Sequence, residues 1–147
     1  MNYLLDSNTL SDFYDRESGG HEAIFCQLSV LPDDARVLMS VLSLYEFEYG
    51  YANADDALRP SIRAKITEAG EDFEVLPLSR EGAGVFGEIK QSLRKRRGIS
   101  GENIKKHNID VMFAAEALAH RCIPVSADRV FRDIREFRPE LMLENWL

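Results

Sequence analysis

Soft metal ligands are scarce in this chain of 147 residues. It has two cysteines, Cys26 and Cys122, outside any C-x-x-C pair, and three scattered histidines. That set is too small for a disulfide scaffold or a structural zinc site. Two buried, reduced thiols are expected instead. Long hydrophobic runs are missing too, since nothing approaches the roughly eighteen apolar residues of a membrane span. Before Asp6 the only apolar residues are Met1 and Tyr3-Leu4-Leu5, which is strand length rather than a signal peptide. A cytoplasmic protein with no membrane contact is expected. Repeats, low-complexity tracts and linkers are also lacking, which implies one domain over residues 1–147.

Positive charge is in deficit, with a net −7. Taken alone, that argues against a nucleic-acid partner. The distribution changes the reading. Between Lys90 and His107 stand Lys90, Arg94, Lys95, Arg96, Arg97, Lys105 and Lys106 against the single acid Glu102. This segment is strongly basic and the rest of the chain correspondingly more acidic. A local basic patch can bind phosphates on an acidic protein, and an acidic remainder suits a metal site or a basic partner.

Short apolar runs alternate with helical patterns. Tyr3-Leu4-Leu5, Val37–Val41, Phe73–Leu76 and Cys122–Val125 read as strands, and Leu141–Leu143 as a possible fifth. Helices are expected over Asn8–Tyr14 and Glu22–Leu31, from about Leu44, over Asp56–Ala69, after a Ser79 cap, and after an Asn108 cap. Gly98–Lys106 reads as a polar loop. The alternation implies an α/β fold, a short parallel sheet of about four to five strands flanked by helices.

In such sheets functional groups gather beyond the carboxyl ends of the strands. Asp6 ends the first strand and Asp128 follows the fourth. Glu46 is expected in the first turn of the helix after the second strand, and Asp110 in the first turn of the helix before the fourth. All four can converge. Clustered carboxylates repel unless a cation neutralises them, and all-oxygen ligation favours Mg²⁺ or Mn²⁺. Each acid also has a structural reading. Ser43-Leu44-Tyr45-Glu46 fits a capping box, Asp110 suits a helix dipole, and Asp128 can cap a short helix over Arg129–Ile134. Asp6 stands out, because an acid directly after a buried strand has little evident structural use.

These residues resemble the PIN-domain ribonucleases, and among them the VapC-type toxins of toxin–antitoxin pairs. Leu5-Asp6-Ser7-Asn8 is similar to the family's L-D-T-N opening. The segment Ser40 to Gly50 resembles S-x-x-T-x-x-E-L-x-x-G, which singles out Glu46 rather than Glu48. Asp110-Val111-Met112-Phe113-Ala114-Ala115 resembles D-x-x-I-A-A, Val125 to Phe131 resembles V-T-x-D/N-x-x-F, and Leu143-Glu144-Asn145-Trp146 is similar to a common ending. The resemblance implies a PIN-like, Rossmann-like fold and a Mg²⁺- or Mn²⁺-dependent endoribonuclease. It implies an RNA substrate, a cognate antitoxin and a homodimer. Asp6, Glu46, Asp110 and Asp128 would be the catalytic and metal-site acids, with Asn8 and Ser126 orienting them through hydrogen bonds. The approach Ile104 to Asp110 is longer and more basic than the family's I-G-x-x-D.

Other signals are weaker. Gly82 to Gly87 matches G-x-G-x-x-G but falls inside a helical pattern, which opposes a nucleotide site. Arg94, Arg96, Lys105 and Lys106 are candidates for RNA phosphates, set against a solvated helix end. The alternatives to a toxin are a PIN-like RNA- or protein-binding module without catalysis, and a PIN nuclease of RNA processing.

Overall fold

In the computed structural model, which describes residues 1–97 and 107–147, the apolar runs become a parallel sheet. Asn2–Leu5 is β1, followed by α1 (Ser7–Tyr14) and α2 (Gly19–Val30). Next come β2 (Arg36–Ser40), α3 (Val41–Asn53), α4 (Arg59–Asp72) and β3 (Glu74–Leu76). The chain continues as α5 (Arg80–Arg97), α6 (Asn108–Ala119), β4 (Cys122–Val125) and α7 (Arg129–Phe137). The strand order is β3-β2-β1-β4, parallel throughout.

Strand alternation divides the core. Leu4 and Leu38 point to one face, against Ile89 and Leu93 of α5, Val111 and Ala114 of α6, and Phe131 and Ile134 of α7. Tyr3, Leu5 and Met39 point to the other, against Leu10, Ile24, Phe47, Ile66 and Trp146. The chain leaves β1 for β2 and β3 on one side, then crosses by α5 and α6 to β4 on the other. The sheet therefore reverses its winding between β1 and β4, and a crevice opens there at the strands' carboxyl ends.

Four local expectations are corrected. First, α3 starts at Val41, a residue read as strand, because Ser40 caps it by accepting from Leu42 N at 3.1 Å. The Ser43 box is therefore not a cap. Second, the expected fifth strand reduces to one bridge, Val125 to Glu144. Two backbone bonds hold it, Ser126 N to Glu144 O and Glu144 N to Pro124 O. Pro124 has no N–H with which to extend that ladder. Third, Asn108 is the first helical residue of α6 rather than its cap; His107 holds the cap position without a side-chain bond. Fourth, Cys26 is exposed, and only Cys122 is buried.

The glycine motif is helical, as expected. Only its first glycine meets another element. A Cβ on Gly82 would stand 2.0 Å from Glu116 Oε1, so α5 approaches α6 closely there. The buried Glu116 carboxylate accepts from Ser79 N and Ser79 Oγ, each at 2.8 Å, and Ser79 Oγ accepts from Gly82 N. Among the described residues no helix is long and apolar enough to cross a membrane.

Candidate active site

The crevice between β1 and β4 collects the four acids. Asp6, Glu46, Asp110 and Asp128 line one cleft with Ser7, Asn8, Leu42, Ser43, Ile109, Phe113 and Phe131. They come from four separate elements, which is what the strand-end argument requires.

Asp6 is buried at the end of β1. It also has the structural use that its position after a strand does not advertise. It caps α1, with Oδ1 accepting from Thr9 N at 2.8 Å. Its other oxygen, Oδ2, accepts from Ser126 Oγ at 2.5 Å. Ser126 Oγ in turn accepts from Asp128 N at 3.0 Å, so one hydroxyl joins the ends of β1 and β4. Asp128 is the N-cap of α7, accepting from Val130 N at 3.0 Å. Its expected capping role is present, and its carboxylate still lines the cleft.

Glu46 lies in the second turn of α3, past the reach of a capping box. Its Oε1 accepts from Ser7 Oγ at 2.7 Å. Ser7 has one hydroxyl proton, so the 2.9 Å contact between Ser7 and Ser43 has Ser43 as donor. Ser7 and Ser43 were not singled out as site residues from the sequence. The available signal was the small polar residue between Asp6 and Asn8. Asn8 lines the cleft, but no hydrogen bond joins it to an acid among the described residues. Ser7, its neighbour, supplies the hydrogen bond to Glu46.

Asp110 stands in the first turn of α6, as expected, half-buried. Burial pushes its carboxyl above the ordinary range, and the charges of Asp128 and Glu46 push the same way. His107, with Nδ1 3.6 Å from Asp110 Oδ2, pulls against them. A half-buried carboxylate beside two others is held in its charged form only against their repulsion, which a nearby cation would relieve.

The donor set is hard oxygen, from carboxylates and hydroxyls, which fits Mg²⁺ or Mn²⁺ better than zinc or copper. Asp6 keeps a further lone pair on each carboxylate oxygen beyond the bonds described. Among the described residues no three His, Cys, Asp or Glu side chains already stand at metal-ligand spacing. The cleft supplies the right chemistry in a more open arrangement than a closed coordination shell.

The basic candidates are placed elsewhere. Arg94 and Arg96 are exposed near the carboxyl end of α5, and the Arg96 guanidinium lies 5.6 Å from the Phe137 ring centroid. Phe137 is the last residue of α7, whereas the cleft acid Asp128 is its cap. Arg96 thus sits at the far end of that helix, not at the rim of the cleft. Lys105 and Lys106 lie outside the described residues.

The chain belongs to the PIN-domain family, whose model matches residues 3–136. Its fold is similar to that in VapBC2 from Rickettsia felis bound to a promoter DNA fragment, with a TM-score of 0.80, 22% identity and 100% of both chains covered. VapBC-1 from nontypeable Haemophilus influenzae gives a TM-score of 0.77 at 22% identity, over 99% of this chain and 98% of that one. VapBC-5 from Mycobacterium tuberculosis, a member of the VapBC family of toxin–antitoxin systems, gives 0.68 at 18% identity, over 98% of each. At these identities the likeness is one of fold. No curated protein matches the sequence significantly.

Proposed function

We propose that this PIN-domain protein is a Mg²⁺- or Mn²⁺-dependent endoribonuclease and the toxin of a toxin–antitoxin pair. The observation that carries the reading is the convergence of Asp6, Glu46, Asp110 and Asp128 on one cleft. The toxin role draws support from the shared fold of the VapBC complexes, and an antitoxin partner follows from the same likeness. Homodimers and a cytoplasmic location accompany that role.

Asp6, Glu46, Asp110 and Asp128 would hold the cation. When bound, it supplies positive charge that neutralises the phosphodiester and acidifies water beside it. The chain's own part is to hold donors in place. Ser126 fixes Asp6 through Oδ2 and ties it to the backbone of Asp128. Ser7 holds Glu46, and Ser43 donates to Ser7. Leu42, Phe113 and Phe131 add apolar surface to the cleft lining.

A growth test addresses the toxin role. Expression of the wild-type chain should arrest growth and degrade cellular RNA. Asp6→Asn, which keeps a capping side chain, should abolish both effects, and co-expression of the antitoxin should suppress them. Normal growth with intact RNA at full expression of folded wild-type protein would contradict it.

A further inference from the structure

One side chain of the cleft has no part in holding a cation. Ile109 lines it together with the four acids, yet it is 46% exposed. The other apolar lining residues, Leu42, Phe113 and Phe131, are buried and belong to the core. Among the described residues, Ile109 packs against neither half of that core. Of their exposed large hydrophobic side chains, it is the one that lines the cleft. Ile109 is the second residue of α6 and directly precedes Asp110.

Helix stability gives no reason for isoleucine here. A β-branched side chain loses freedom in a helix, and an acid suits a first turn better. Left half in water, the side chain also forgoes most of the gain of burial. What it offers is surface for a ligand. Isoleucine has no donor and no acceptor, so it cannot pair with a phosphate, a ribose hydroxyl or the hydrogen-bonding edge of a base. It can only cover an apolar surface. In a polynucleotide the large apolar surfaces are the faces of the bases. The Cα atoms of Ile109 and Asp110, as consecutive residues, stand about 3.8 Å apart. A phosphodiester held at the acids therefore brings a flanking nucleoside to Ile109.

We propose that Ile109 packs against the face of a base flanking the phosphodiester that is cut, and is a specificity-determining residue of the cleft. This rests on the ribonuclease reading and specifies its substrate. In a duplex each base face is covered by its neighbours in the stack. The substrate is therefore RNA whose nucleotide at the cleavage point is unstacked, as in a single strand, a loop or a bulge. Selection at this position acts through the size of the base face. It does not act through a hydrogen-bonding pattern, because isoleucine reads none.

The test compares cleavage of two short single-stranded RNAs in Mn²⁺. One carries all its bases, and the other lacks the base on one side of the cut bond, each side being tried in turn. Ile109→Ala should lower kcat/KM for the complete RNA about tenfold, the low end of what a lost methylene contact costs, because Ile109 stands at an open cleft. On the RNA that lacks the contacted base, variant and wild type should cut equally. Ile109→Leu, which keeps the volume, should restore the complete RNA to within about threefold. Thermal melts and Mn²⁺ affinity by calorimetry should match the wild type. No loss on the complete RNA would overturn the contact. Equal losses on the complete RNA and on both abasic RNAs would also overturn it, assigning Ile109 to the shape of the cleft or to the placement of Asp110. A parallel binding assay separates the two readings. It measures anisotropy in Mn²⁺ with Asp6→Asn protein, so that nothing is cut, and compares oligoadenylate with a fully abasic strand of the same length. Adding Ile109→Ala should weaken oligoadenylate alone. If wild-type protein cuts nothing yet oligoadenylate alone is weakened, the contact stands and the ribonuclease reading fails. If wild-type protein cuts RNA and Ile109→Ala treats all the RNAs alike, only the contact fails.

Discussion

Ser126 Oγ donates to Asp6 Oδ2 at 2.5 Å, across 120 residues of chain. The bond joins the ends of β1 and β4 at the floor of the crevice, where the sheet changes direction. It also leaves Ser126 accepting from Asp128 N, so two cleft acids share one hydroxyl as support. Ser126→Ala removes both bonds within a buried site. A loss of about 1.5–3 kcal/mol in urea unfolding is expected, the range for a hydrogen bond to a charged group. Cleavage should fall about 10–100-fold, as it does when a metal ligand loses its orienting partner. Unfolding curves and single-turnover assays read the two effects separately.

Asp128 has two functions that substitution can separate. Asparagine caps helices about as well as aspartate, whereas alanine does not. Asp128→Asn should keep stability within about 0.5 kcal/mol, and Asp128→Ala should cost about 1 kcal/mol. Both remove a cleft carboxylate, so both should lower cation affinity, measured by titration calorimetry with Mn²⁺. If only the alanine variant changes, Asp128 serves as a cap alone.

Asp110 gives a pH signature. Its folded carboxyl is held above the ordinary range, so ionising it destabilises the cation-free fold. The cost is absent below about pH 4, the unfolded aspartate value, grows as pH rises to the raised folded value, and stays constant above it. Asp110→Asn should therefore raise the melting temperature in EDTA at neutral pH by a few degrees and have no such effect under acidic conditions. Added Mg²⁺ should stabilise the wild type more than the variant. Differential scanning calorimetry across pH, with and without the ion, checks both signs.

Gly82 is required by a neighbour, not by a ligand. A Cβ there would meet the Glu116 carboxylate, with Oε1 at 2.0 Å. Gly82→Ala should cost about 1–3 kcal/mol through overpacking. Adding Glu116→Ala should make the two losses clearly less than additive, because both act on one contact. Nucleotide binding, measured with ATP and NAD, should be absent in all of these proteins.

The strands and acid positions were legible because they depend on local pattern: β-rich runs, and acids placed at strand ends and in first turns. Caps were harder. Ser43 and Glu46 match a capping box, yet Ser40 turns the chain three residues earlier and frees Ser43 to donate to Ser7. The same error in reverse hid the capping role of Asp6, since the sequence does not show that a helix begins directly after β1. Asn108 fits a cap by residue type but falls one position inside its helix.

The most direct measurement is cleavage of single-stranded RNA by purified protein in Mg²⁺ or Mn²⁺, beside the same protein in EDTA and beside folded Asp6→Asn. Cleavage that needs the ion and falls at least about a thousandfold in the variant is the expected result, since a thousandfold corresponds to about 4 kcal/mol of transition-state stabilisation. RNA cut equally well in EDTA, or by Asp6→Asn, would show that the four-acid cleft is not where the chemistry occurs.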